Sequence, residues 1–164
     1  MAMRLDDFNS LPAPEAAAAV RACADIDSFV ETLVEGRPYP DLPELFAAAR
    51  ELATAWTPEE VERALADHPR IGERPAGEGA SAELSRAEQA GVGDDAELQR
   101  RLREGNAAYE ARFGRIYLVR AKGRTAEQLL ALLDERLAND PATELEVTKG
   151  QLGEIALLRL QGMF

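Results

Sequence analysis

Residues that start and stop helices recur along this chain from end to end and leave almost no room for strands. Thr57-Pro58-Glu59-Glu60 combines an N-cap hydroxyl, a proline at the first helical position and a carboxylate three residues after the cap. Asp41 with Glu44 and Thr125 with Gln128 repeat the cap at the same spacing. The spacing predicts helices over residues 15 to about 23, 27 to 35, from 41 onward, and 57 to near 67. Further helices are expected from Ser81 or Ser85 through Gln89, from Asp94 to Arg112 or Phe113 with Gly114 as the stop, from Thr125 to about Leu137, and after Pro141. The run Ile116-Tyr117-Leu118-Val119 has strand character but no second strand to pair with, so it is expected to be extended and buried. The reading is an all-α, single-domain bundle of about eight helices covering residues 1–164.

Composition agrees. Alanine dominates the apolar residues and aromatics make up only 5%, which suits packed helices better than a β-sandwich or barrel. The net charge of −11 excludes nucleic acid as an expected partner, because phosphate neutralisation needs a basic face. A small anionic substrate would also be repelled at long range and must be held by locally placed Arg or Lys. Cys23 is the only cysteine and His68 the only histidine, too few for an intrachain disulfide or a protein-only zinc site, so no metal is expected. No stretch reaches the roughly 18 apolar residues of a membrane span, the N-terminus lacks a long apolar segment, and Gly162-Met163-Phe164 is not a peroxisomal tripeptide. The expected location is cytoplasmic.

Three positions could carry chemistry. His68 stands at a helix end, before Pro69, which biases its backbone toward an extended conformation and turns the ring away from the helix. A helix-terminal histidine complementing the dipole is the plainer alternative. After it, Pro69, Gly72, Pro75, Gly77 and Gly79 rule out a continuous helix. Ser85-Arg86-Ala87-Glu88 fits a capping box, yet Ser85, Glu88 and Gln89 also share one helical turn and could grip a polar ligand. Arg159, set among Ile155, Leu157, Leu158 and Leu160, needs a counter-charge or a path to water.

Taken jointly, these segments resemble the OHCU (2-oxo-4-hydroxy-4-carboxy-5-ureidoimidazoline) decarboxylases. The resemblance rests on Phe8-Asn9-Ser10-Leu11, Arg37-Pro38-Tyr39, His68-Pro69-Arg70-Ile71-Gly72-Glu73, Ser85-Arg86-Ala87-Glu88-Gln89, Asn106 through Tyr109 to Arg112-Phe113-Gly114, and Leu157-Leu158-Arg159-Leu160. The His-Pro-x-Ile-Gly segment followed by Ser-x-x-Glu-Gln is the specific part. The resemblance implies an all-helical, cofactor-free homodimer that makes (S)-allantoin in urate breakdown, with His68 as proton donor and Arg159 holding an anionic or carbonyl oxygen of the substrate. Glu88 is expected to pair with His68 in acid–base chemistry and to orient the substrate. It implies substrate contacts from Pro69, from Ser85, Arg86, Ala87, Glu88 and Gln89, and from Tyr117, Leu118, Val119, Arg120 and Ala121. Where relatives typically read Phe-Gly-Phe-Pro-Phe, this chain has Phe113-Gly114-Arg115-Ile116-Tyr117 and then Arg120. Two other readings stay open: an enzyme of the same fold acting on a related ureido or imidazoline acid, and a non-enzymatic helical interaction module.

Overall fold

The computed structural model describes residues 2–73 and 79–164. Among these residues there are nine α-helices and no strand: α1 Leu5–Ser10, α2 Ala13–Arg21, α3 Asp27–Glu35, α4 Leu42–Thr54, α5 Pro58–Leu65, α6 Ala80–Glu88, α7 Ala96–Phe113, α8 Ala126–Leu137 and α9 Pro141–Gly162. Pro75 and Gly77, counted above as breakers, lie outside the described residues. No helix among them is long and apolar enough to cross a membrane.

Four helices with a capping side chain begin as the sequence predicts. Asp41, Thr57, Thr125 and Asp140 each accept a hydrogen bond from the backbone N–H three residues on, and Thr57 and Thr125 complete reciprocal boxes with Glu60 and Gln128. Gly114 closes α7 in the left-handed conformation, at φ 73°. The differences arise where no such signal exists, or where two adjacent aspartates both offer it. α1 has Arg4 at its N-cap with no side-chain bond, which is why about eight helices were expected and nine are found. α6 starts behind Gly79, so Ser81 and Ser85 are interior residues and neither caps it. The N-cap of α7 is Asp95, one residue beyond Asp94. α5 ends at Leu65, and residues 66 to 68 form a turn.

The apolar side chains fall into two clusters. One gathers α1 to α5 against α9, through Phe8, Leu33, Leu45, Val61, Leu152 and Leu160 among others. The other packs α7 against α8, through Leu102, Tyr109, Leu129 and Leu133. Gly105 permits that second contact, because a Cβ there would lie 2.2 Å from Leu133 Cδ2. The extended segment after Gly114 threads between the clusters with the two-residue alternation of an extended chain: Leu118 joins the first, while Tyr117, Val119 and Ala121 join the second. Near the N-terminus, Arg37 Nη1 donates to the Phe8 and Leu11 carbonyls and Asn9 exchanges two hydrogen bonds with the Tyr39 backbone. The Phe-Asn-Ser-Leu and Arg-Pro-Tyr segments are therefore tied to each other and serve the scaffold.

Candidate active site

Beside the threaded segment lies a small, partly open cavity with a mixed polar and apolar lining. His68, Pro69 and Ile71 form one wall, Ser85, Glu88 and Gln89 a second, residues 117–122 a third, and Ile155 and Leu158 of α9 the floor.

The histidine loop is held at three consecutive residues. Arg70 Nε donates to Glu110 at 2.6 Å, Asn106 Nδ2 donates to the Ile71 carbonyl at 3.0 Å, and the Gly72 N–H donates to Gln89 Oε1 at 2.9 Å. Gly72 has φ +90°, and a Cβ on it would stand 2.9 Å from Gln99 Oε1, so both backbone and space call for glycine there. Upstream of these anchors, the His68 ring is partly covered, and neither of its nitrogens bonds to a described residue. Loss of solvent pushes its pKa down from 6.5 to about 4, and the nearby Arg159 cation acts in the same direction. At neutral pH the imidazole is uncharged and both nitrogens remain available to a ligand.

Glu88 stands opposite. On α6, Ser81, Ser85 and Glu88 follow one another at spacings of four and three and present one face to Arg159 on α9. The guanidinium commits all five of its N–H groups: Nε and Nη2 clasp the two Glu88 oxygens at 3.0 and 2.8 Å, Nη2 also reaches Ser85 Oγ at 3.0 Å, and Nη1 reaches Ser81 Oγ at 3.1 Å and the Ala22 carbonyl at 3.0 Å. Ser81 in turn donates to Asp67 at 2.7 Å, next to the histidine. The arginine side chain is only 2% exposed, against 17% for Glu88, so the carboxylate is fixed from behind with an open edge at the cavity. The Ser-x-x-Glu capping alternative is thereby displaced, since Ser85 is a buried ligand of Arg159. Cys23 beside this pair is a buried thiol whose pKa is pushed up to about 12 by desolvation, which makes it a poor nucleophile.

The third wall is positioned from the far side. Arg136 and Glu144, 5% and 0% exposed, form an ion pair that also takes in Tyr109, Thr148 and Asn139. Arg136 Nη1 donates to the Leu118 carbonyl at 2.5 Å, and its guanidinium lies over the Tyr117 ring. The Tyr117 hydroxyl donates to the Leu129 carbonyl at 2.9 Å. This network fixes the backbone of residues 117 and 118 against the cavity.

Of the residues proposed from the sequence, His68, Pro69, Ser85, Glu88, Gln89 and residues 117–121 line this one cavity. Arg159 reaches it through Ser85 and Glu88 and itself borders a neighbouring groove with Ala87, while Arg86 borders another pocket with Gly72 and Gln89. Successive helical residues are rotated by about 100°, so a turn that shows Ser85 and Glu88 to the cavity sends Arg86 and Ala87 elsewhere. Gln89, expected to grip a ligand, uses its amide oxygen on the Gly72 N–H. Sequence reasoning missed Ile71, Lys122, Ile155 and Leu158 as lining residues. The i, i+3 pair on α9 beside Arg159 was the available signal for the last two.

The depressed His68 pKa has a consequence for stability. The unfolded chain, with its histidine near 6.5, takes up a proton before the folded chain does, so this contribution is complete above pH 6.5 and is lost as the pH falls toward 4. Urea midpoints measured between these limits should fall with pH, and the slope in His68→Asn should be shallower. Equal slopes would show that His68 titrates like an exposed histidine.

A helical scaffold that brings an imidazole and a clasped carboxylate to one small cavity has the groups that proton transfer to a small molecule would need. The model of the OHCU decarboxylase family matches residues 9–161, and the chain belongs to that family. It is thus a carboxy-lyase. Over 129 residues it is 33% identical to the 2-oxo-4-hydroxy-4-carboxy-5-ureidoimidazoline decarboxylase of Amia calva, covering 77% of this chain and 74% of that protein. It is 32% identical over 105 residues to the uric acid degradation bifunctional protein TTL of Arabidopsis thaliana, covering 62% of this chain and 32% of that larger protein. A crystal structure of OHCU decarboxylase in the presence of (S)-allantoin superimposes with a TM-score of 0.73 at 26% identity, covering 88% of this chain and 95% of that one.

Proposed function

We propose that the protein converts OHCU to (S)-allantoin and CO₂ in urate breakdown, with His68 transferring the proton, Glu88 orienting the substrate and Arg159 positioning Glu88. The observation that supports this most is the meeting of His68, Ser85 and Glu88 in one cavity, from an inter-helix turn and a separate helix. The names of the relatives, and the allantoin present with the solved one, fit the same reaction. Family membership also supports a homodimer acting on a small anionic substrate in the cytoplasm.

The chemistry asks for little beyond placement. When the carboxylate leaves as CO₂, its electron pair stays on the ring and passes into the adjacent carbon–nitrogen π system, with net uptake of one proton from solvent. The hydroxyl on the carbon that lost CO₂ must then give up a proton to become the carbonyl, and the ureido-bearing carbon must receive one on a single face. A neutral imidazole suits this sequence: it accepts the hydroxyl proton and, as a strongly acidic imidazolium, returns it to carbon. Glu88, locked in one rotamer by two bonds from Arg159, would accept from the substrate hydroxyl or a ureido N–H and fix which face looks toward His68. Arg159 has no free N–H to offer a ligand, so its part is to hold Glu88.

The test is to add the protein to freshly generated OHCU and follow the ultraviolet decay together with the chirality of the product. The expected result is rapid decay with (S)-allantoin in large excess. An unchanged decay with racemic product would retire the assignment. Selective turnover of a different ureido acid would move it to a related substrate.

A further inference from the structure

The charges around the cavity are unevenly committed. Glu88 and Arg159 neutralise each other, and His68 is uncharged at neutral pH. The remaining charged side chains among the described lining residues are Arg120 and Lys122, and neither forms an ion pair with a described residue. We propose that the segment at residues 120–122 is the anion-recognising lip of the cavity, and that Lys122 and Arg120 set its preference for a carboxylate-bearing ligand. The inference deepens the decarboxylase reading and takes its substrate from it.

The lip is built to stay in place. The Arg120 backbone N–H donates to Gln151 Oε1 on α9 at 2.9 Å, and Arg124 Nη1 reaches back to the Arg120 carbonyl at 3.2 Å and to Gln151 at 3.3 Å. Arg120 Nη1 closes the segment on the Lys122 carbonyl at 3.2 Å. That leaves Arg120 Nε buried without an acceptor, an unmet charged donor at a cavity wall. The Lys122 side chain is exposed and bonded to no described residue, so its ammonium is free to meet an incoming anion. On a chain of net charge −11, two cations without an ion-pair partner place positive charge at the mouth, which favours capture of an anion.

The placement also predicts which kinetic constant responds. A cation that holds the carboxylate equally in the ground and transition states lowers KM without raising kcat. A cation that gripped it more tightly before CO₂ departs than after would slow the reaction, so the lip belongs to capture. Arg120→Gln and Lys122→Gln should each raise KM about five- to tenfold, a size appropriate to a charge-assisted hydrogen bond. They should leave kcat within about twofold and retain the (S) product. The fall in kcat/KM between about 0.01 and 0.15 M salt, over which the screening length shrinks from ~30 to ~8 Å, should flatten in the double variant.

A binding measurement separates this proposal from the assignment of the reaction. By calorimetry the parent protein should bind allantoate at least fivefold more tightly than uncharged allantoin, and the double variant should show no such preference. If the parent decarboxylates OHCU but the double variant keeps its KM, salt response and carboxylate preference, the lip proposal is overturned and the reaction stands. If the parent leaves OHCU untouched yet favours allantoate through these two residues, the lip stands and the reaction falls. A parent that does neither overturns both.

Discussion

His68→Ala should lower turnover of OHCU by roughly 10²–10⁴-fold, the usual worth of a positioned proton-transfer group, and should make the allantoin formed racemic. The fold should survive the change. The ring has no hydrogen-bond partner among the described residues, so its removal orphans no buried donor or acceptor, and it sits in a turn whose shape is set by the anchors on residues 70–72. An unchanged far-ultraviolet circular dichroism spectrum with lost enantioselectivity is the expected pair of observations. Normal kinetics in this variant would remove the imidazole from the mechanism. Glu88→Gln, by contrast, leaves a nearly inaccessible guanidinium without its counter-charge, so its activity has to be judged beside its melting temperature.

The second large effect is on stability. Glu144→Ala should destabilise the protein by about 3–5 kcal/mol, because it strands the buried Arg136 charge and also strips Tyr109 and Asn139 of their shared acceptor. A double replacement, Arg136→Met with Glu144→Leu, removes both charges together and should cost less than the single change. Urea denaturation of the three proteins checks the order. A loss below about 1 kcal/mol in Glu144→Ala would mean that water reaches the pair and relieves it. Because Arg136 also holds the Leu118 carbonyl, the folded single variant should bind substrate more weakly even at temperatures well below its transition.

What could be read from the sequence followed from how local each signal is. Thr57 with Glu60 and Thr125 with Gln128 announce helices because both halves of the device sit within four residues, and Gly114 stops α7 by a property of its own backbone. α1 escaped because its cap is an arginine without a capping bond, and the start of α6 was misplaced because Gly79 does the work that Ser81 or Ser85 was expected to do. The meeting of His68 with Glu88 was reached through resemblance to a family, since nothing in their spacing brings a turn after α5 against α6. Arg136 and Glu144 carried no signal: eight residues apart in a chain rich in charge, they resemble surface residues until α8 and α9 fold together and exclude water from both. Lys122 was missed for the opposite reason, because an exposed lysine beside a glycine is the commonest of surface features until it is found to line the cavity without an ion pair.

The segment that threads between the two apolar clusters sends Leu118 to one side and its neighbours Tyr117 and Val119 to the other. Adding or removing a single residue there would exchange every partner at once, casting a tyrosine into the space shaped for a leucine and pulling the held carbonyl away from its arginine. The number of residues in this stretch is thus as constrained as their chemistry. The enzyme measures its cavity by counting along the chain.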